Sequence, residues 1–554
     1  MIRTFETHKI RQYKELSGLW NFTAKDEDTI QVAIPSCWES YPGHRNYRGT
    51  AAYETAFFGK GNIRVVCKGV SHTADVFVDG EKIAHHYNAF TPFDGISKNA
   101  NAGTHKLRID VSNEHNQKSA LHVPNDYYTY GGINRAVVIE EVSDVFIEWV
   151  HITPINTSGK WSVEINVKIN NIGSVEHKSD LVTTINGQQC IFEQSTLAPN
   201  ETAVLSAQAG FENVEIYEME NPKLYYAETV LYIDGEEEPK DDLIERFGFR
   251  TVEIDGKDLL LNGKKIRIKG FNRHEDHPHF GCAIPFHAMD YDLNLMKDLG
   301  ANAVRTCHYP NDELFLDLCD ERGIWVWEEN HARGLSEADM QNENFRKQCK
   351  DCIDEMINSH YNHPSIFVWG ILNECASETE YGKMCYAEQF KQIKTLDTSR
   401  PTSFASCKFY NDLCLGLQDF VSYNIYPRWY LDIPTEKYFD DLYEWVQTTE
   451  GANKPFLITE IGAGAIYGNR SINEAKWSEE RQAAILSEQL HTVLSKEDCF
   501  GVFIWQFCDV RVADEWFASR PRTMNNKGIV DEYRRPKSAY STVKSIFKAY
   551  EDYR

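Results

Sequence analysis

The chain has 554 residues, 42% hydrophobic and 25% charged, which is material for several cores and roughly three to five domains, fewer if one is a large α/β barrel. Its net charge of −25 excludes a nucleic-acid binder, which needs a basic face, and means that an anionic ligand must be met by local cations. MIRTFETHKIRQYKELSG lacks a signal-peptide core, and no apolar run reaches the ~18 residues of a membrane span, so a cytoplasmic protein is expected. Residues 1–145 read as β: IRVVCKGV, TADVFVDGEKIAHHY, HKLRIDVSN and RAVVIEEV alternate in polarity, and VFVDGEKIA carries a D-G turn. Residues 146–248 are β again (HITPINT, WSVEINVKINNI, DLVTTING, TAVLSAQAG, AETVLYIDGEE) and match an immunoglobulin-like sandwich in size; the charged stretch near 233–242 reads as a solvated hairpin tip.

From 249 to 554 strands and helices alternate. Eight short apolar segments appear: IRIKGF (266–271), AVRTC (303–307), GIWVWEE (323–329), SIFVWGIL (365–372), PTSFASC (401–407), FVSYNIY (420–426), PFLITE (455–460) and FGVFIWQF (500–507). Amphipathic stretches such as DYDLNLMKDLG and WSEERQAAILSEQLHTVLSK lie between them, which predicts a (β/α)8 barrel with its functional end at the strands' C-termini. The fourteen cysteines are scattered and many sit in apolar context, as reduced core residues would; the lone Cys349-x-x-Cys352 has no second pair to complete a zinc site.

The fourth and seventh segments both run into a carboxylate. PSIFVWGILNE stops at Asn373 and Glu374, and KPFLITEIGAGA at Glu460. A charge at the rim of a core is costly unless paired, hydrated or used. Two carboxylates about 5 Å apart at one barrel mouth are the equipment of a retaining glycosidase: one acid/base and one nucleophile. Asn373 is placed to hydrogen-bond a sugar 2-hydroxyl, and Arg305, ending the second strand, to keep Glu460 ionised.

The order of motifs resembles glycoside hydrolase family 2, the group of β-galactosidases, β-mannosidases and β-glucuronidases, over nearly the whole chain. GLWNF (18–22) resembles the start of that family's jelly-roll domain, and NDYYTYGGINR (125–135) the loop reaching from it to the active site. GFNRHED (270–276), NAVRTCHYP (302–310), NHPSIFVWGILNE (362–374) and ITEIGAGA (458–465) follow in the family's order. The resemblance implies an N-terminal jelly roll, a central immunoglobulin-like sandwich and a C-terminal barrel. It makes Glu374 the acid/base and Glu460 the nucleophile, and implies a homo-oligomer, no cofactor and no metal.

YNIYPRWY (423–430) brings Asn424, Tyr426, Trp429 and Tyr430 to the end of strand six, and its spacing resembles the β-glucuronidase branch. Asn525-x-Lys527, in RTMNNKGIVDEYRRPK, resembles the N-x-K motif with which β-glucuronidases hold the sugar carboxylate; an amide and an ammonium suit that task. Trp505 is expected as the floor under the sugar, with a cis peptide after it, and Asp126 and His308 as partners of sugar hydroxyls. The expected activity is hydrolysis of terminal β-D-glucuronides, with a small glycoside or oligosaccharide as the only partner besides a second copy. Two departures stand out: NECAS replaces the more usual N-E-P, and Arg333 in ENHARGLSE is an unexpected cation after strand three. Inside the pocket it would favour an axial C-4 hydroxyl and hence galacturonic acid, alone or with glucuronic acid. β-Galactosidase activity is a further alternative, and so is a sugar-binding protein without activity. His277-x-His279 leaves a metal-dependent amidohydrolase as a distant one, although no histidine closely follows strands five and six.

Overall fold

The computed structural model describes residues 2–514 and 520–553. The first region is an antiparallel sheet running Gln12–Glu15, Val137–Val142, Thr50–Cys67, Phe93–Ser112, Thr73–Val78, Glu81–Tyr87, with Gly18–Ala24 and Ile30–Ile34 paired alongside. Alternation does the sorting: in Thr73–Val78, Ala74, Val76 and Val78 point into the core while their neighbours lie nearer the surface. The D-G turn holds Asp79 and Gly80 at φ 51° and 88°, the paired positive values that a two-residue hairpin of the strand's own twist requires.

The second region packs a three-stranded sheet (Val145–Thr157, Lys160–Asn171, Thr202–Phe211) on one built from Gln188–Ile191, His177–Ile185, Tyr225–Ile233 and Asp241–Phe247. Val163, Ile165, Val167 and Ile169 meet Leu181, Leu231 and Phe247 between them. The charged hairpin tip departs from expectation. Glu236 to Glu238 are exposed, but Asp241 and Asp242 are buried. Asp241 accepts from Arg11 Nε at 2.8 Å, and Asp242 accepts backbone N–H groups of Lys9, Ile10 and Arg11. Arg11 also donates to Glu140 at 2.9 Å, so the N-terminal segment clamps the two sandwiches together through buried charge.

All eight expected barrel strands form: Ile268–Arg273, Ala303–Thr306, Trp325–Glu329, Ile366–Gly370, a fifth split into Thr402–Ser403 and Ala405–Ser406, Val421–Asn424, Phe456–Ile461 and Cys499–Ile504. They pair in parallel. The two halves of the fifth strand bond to strands four and six respectively, which closes the ring. Helices follow the expected stretches, among them Phe286–Leu299, ended by left-handed Gly300, and Glu479–Ser495, started by the Ser478 side chain. A small antiparallel sheet, Val252–Asp255, Asp258–Leu261 and Lys264–Lys265, plugs the N-terminal end, with Leu259 and Leu261 against Phe420, Phe500 and Phe503. The other end is left for chemistry. Cys349 and Cys352 are buried free thiols on the helix Phe345–His360.

Replacing Arg11 with Ala strands buried Asp241 without its cation and should cost roughly 3–5 kcal/mol of stability. Equilibrium urea unfolding measures this, and an unshifted midpoint would refute the clamp.

Candidate active site

Six barrel strands send polar side chains into the open end. Arg305, fully buried, ties them together. Its Nε and Nη2 donate to the two oxygens of Glu329 at 2.9 Å each, Nη1 to Asn272 Oδ1 (2.9 Å) and Glu460 Oε1 (3.1 Å), and Nη2 also to Asn373 Oδ1 (2.8 Å). Asn424 continues the chain, its Nδ2 donating to Asn373 Oδ1 at 3.1 Å and Glu374 Oε1 at 3.0 Å, with its Oδ1 fixed by Thr459. Tyr426 donates its hydroxyl to the second oxygen of Glu460. Glu374 and Glu460 thus line one cavity of about 480 Å³ and are linked through Asn373, Asn424 and Arg305.

The backbone around Glu374 is constrained. Leu372 and Glu374 lie at φ 45° and 54°, the left-handed region that costs a side-chain-bearing residue. Leu372 N–H is held by Asn330 Oδ1 at 3.2 Å and Glu374 N–H by Ala405 O at 2.9 Å. Burial pushes the Glu460 carboxyl up to about 8, and the neighbouring charge of Glu374 adds to this against Arg305, Tyr426 and Arg333. Arg305 and Tyr426 donate to Glu460 and oppose that rise by favouring its charged form.

The loop 125–135 crosses from the first sandwich to deliver Asp126. At Gly131 a Cβ would lie 2.0 Å from Trp38, so only glycine lets the loop press on the sandwich, and its N–H donates to Glu39 at 3.0 Å. On the barrel side Arg135 pairs with Glu275 at 2.9 Å and Tyr130 donates to Asp276 at 2.9 Å, which gives GFNRHED a structural task. Arg333 does enter the cavity. It lies 3.2 Å from Asp126 Oδ2 and 3.4 Å from Glu374 Oε2. Burial would raise the Asp126 carboxyl, but Arg333 and then Lys527 outweigh it and hold Asp126 below its ordinary value.

Lys527 is buried in the same cavity, its Nζ 5.2 Å from the centre of the Tyr430 ring and 5.4 Å from that of Tyr426. Among the described residues it has no carboxylate within ion-pair distance, and burial, with Arg520 nearby, lowers its pKa. Arg520 lines it too, while Arg522 turns outward to Glu532. Asn525 Nδ2 reaches Asp126 Oδ2 at 3.5 Å. Trp505 forms the floor, stacked on His308 with ring centres 5.0 Å apart, and its peptide to Gln506 is cis. His308 Nδ1 donates to Glu329 at 2.8 Å, which leaves Nε2 as an acceptor.

Buried polar atoms without a protein partner gather here: Asp126 Oδ1, His274 Nε2, His308 Nε2, Asn373 Nδ2 and Asn525 Oδ1. This mix of donors and acceptors suits a ring of hydroxyls, each of which gives and takes one hydrogen bond. His274, Cys307 and His308 also bring possible metal-ligand atoms within 4.8 Å of one another. Arg305 and Arg333 make that spot positive, which favours neutral hydroxyls over a dication. The Asp317, Asp320 and His363 group is already neutralised by Arg3 and Arg246.

One placement corrects the sequence reading. Trp429 does not line the cavity. The chain turns at Arg428 (φ 63°) and the indole packs against Ala463, Ile485 and Trp477. His277 and His279 sit on an outer loop beside Phe280 and Tyr533, away from the barrel mouth. The sequence reading missed Glu329, which orients both Arg305 and His308. Its signal was a third strand ending on a carboxylate.

Comparison with known proteins agrees with this geometry. The sequence model of "Glycosyl hydrolases family 2, TIM barrel domain" matches residues 252–551. A β-glucuronidase of Paenibacillus borealis is 26% identical over 97% of this chain and 96% of its own. The β-glucuronidase of Sus scrofa is 27% identical over 96% of this chain and 89% of its own. The crystal structure of a β-galacturonidase from Eisenbergiella tayi bound to galacturonate shares 55% identity and a TM-score of 0.98, covering 100% of both chains.

If Glu374 raises Glu460, the Glu374→Gln variant should release the proton of Glu460 below pH 8. The carboxyl stretch followed by pH-difference infrared spectroscopy reads this, and an unchanged titration would contradict the coupling.

Proposed function

We propose that this chain, which belongs to glycosyl hydrolases family 2, is a retaining exo-β-glycosidase that releases a terminal hexuronic acid. The observation that carries the reading is the pair Glu374 and Glu460 in one cavity, with a buried Lys527 that has no carboxylate partner among the described residues. Glu374 protonates the leaving oxygen while Glu460 attacks the anomeric carbon. The glycosyl–Glu460 ester is then hydrolysed by a water that Glu374, now a carboxylate, deprotonates. Arg305 favours the charged form of Glu460 that attacks the sugar, and the Nδ2 of Asn373, without a protein partner, is the donor for the 2-hydroxyl. Tyr426 bonds Glu460 until the ester forms.

The sugar's carboxylate supplies the anion that Lys527 lacks. A desolvated ammonium has strong reason to bind one, even in a protein of net charge −25. β-D-Glucuronides are the substrate that the curated relatives' names support. A second reading, preference for β-D-galacturonides, is favoured by Arg333. It sits on Asp126, which Asn525 also reaches, so it lies near the carboxylate end where C-4 would be. A relative of about twice the identity, bound to galacturonate, supports the same reading. The free, mostly buried cysteines support a reducing cytoplasm, and the family resemblance supports a homo-oligomer.

A panel of p-nitrophenyl β-glucuronide, β-galacturonide, β-galactoside and β-glucoside tests the reading. The uronides should be turned over far faster than their neutral counterparts. Lys527→Ala should lower kcat/KM on the preferred uronide roughly a hundredfold and leave the matching neutral glycoside little changed. Equal losses on both would refute the carboxylate assignment.

A further inference from the structure

Arg511 does not line the catalytic cavity, is 5% exposed, and makes no ion pair among the described residues. It sits on the short strand Val510–Arg511 after barrel strand eight. That strand pairs antiparallel with Met524–Asn525, Val510 opposite Asn525 and Arg511 opposite Met524. The Arg511 guanidinium lies over the ring of Tyr128, its Cζ 3.7 Å from the ring centre. Nη1 donates to Arg45 O at 2.9 Å and Nη2 to Asn46 Oδ1, both in the first sandwich. A desolvated guanidinium is drawn to an aromatic face, and the attraction grows as water is removed. Arg48 comes over the same ring at 4.4 Å and donates to Thr129 O.

Tyr128 stands two residues after Asp126 in the loop that crosses from the first sandwich. On the other flank of Asp126, Asn125 O accepts from Ala513 N–H at 3.1 Å. Residues 511 and 513 therefore grip the loop on both sides of Asp126. The same segment continues from the strand that pairs with Asn525, whose Nδ2 reaches Asp126 Oδ2 at 3.5 Å. That contact is already at the long limit of a hydrogen bond, so a small shift of the loop breaks it. Glu374 and Glu460 are held by Arg305, Asn373 and Asn424, none of which belongs to this loop.

We infer that Arg511 is a positioning residue: through Tyr128 it holds Asp126 against Asn525 and so shapes the part of the site that binds the uronic acid, without lining the cavity itself. This rests on the proposed hexuronidase reaction. Because the reacting carboxylates are held separately, the loss on removing Arg511 belongs to binding. Arg511→Met, which keeps the length of the stem, should raise KM for the preferred uronide about tenfold with kcat within about twofold. Arg511→Lys keeps a cation over the ring and should recover part of the loss. Tyr128→Leu should match Arg511→Met and Tyr128→Phe should keep the wild-type KM, so this second pair reads the same contact with Arg511 intact. Arg511→Met and Tyr128→Leu together should cost no more than either alone. A merely structural role would lower the amount of active enzyme, and with it the apparent kcat, at unchanged KM; that result, or losses that add in the double variant, would overturn the inference. Wild-type enzyme that is active on a uronide, with a KM indifferent to both positions, overturns it alone; wild-type enzyme inactive on every uronide overturns the reaction as well.

Discussion

A buried guanidinium must find its acceptors inside the protein, and Arg305 finds four groups at once: Asn272, Glu329, Asn373 and Glu460. Leaving such a charge unpaired would cost several kcal/mol. The demand therefore fixes the ends of five barrel strands relative to one another before any substrate arrives. Glu460 receives a cation, Asn373 is turned so that its buried amide nitrogen is left without a protein partner, and Asn373 with Asn424 positions Glu374. The charge placement that a double displacement needs is thus a consequence of satisfying one side chain.

The same logic organises the rest of the molecule. Arg135 and Arg333 draw the Asp126 loop from the first sandwich into the barrel mouth, and Arg11 clamps the two sandwiches through Asp241 and Glu140. Each of these cations has a carboxylate partner. Lys527 does not have one among the described residues, and it stands where the sugar's own carboxylate would complete the pattern. A strongly acidic protein can bind an anionic sugar because the field that matters is set locally by Lys527, Arg520 and Arg333.

Much of the barrel was legible because its strands are buried on both faces. Such strands read as uninterrupted apolar runs, and a carboxylate at the end of one stands out. The same property made Glu374 and Glu460 visible. Features set by loops or by distant partners were not. Trp429 and Tyr430 are adjacent in sequence, yet a turn at Arg428 sends one into the core and leaves the other at the cavity, and no periodicity encodes that choice. Asp241 and Asp242 looked like a solvated hairpin because their partner, Arg11, lies about 230 residues away. Glu329 was hidden beside Glu328, which the structure uses differently, as the partner of His360.

The central claim is that Arg305 holds Glu460 as the nucleophile across from Glu374. Incubation with a 2-deoxy-2-fluoro-β-hexuronosyl fluoride, followed by intact-mass analysis and peptide mapping, tests it directly, because the fluorine slows breakdown of a covalent intermediate. The account predicts one sugar per chain, attached to Glu460. A sugar attached to Glu374, or turnover without any covalent adduct and with inversion at the anomeric carbon, would contradict it.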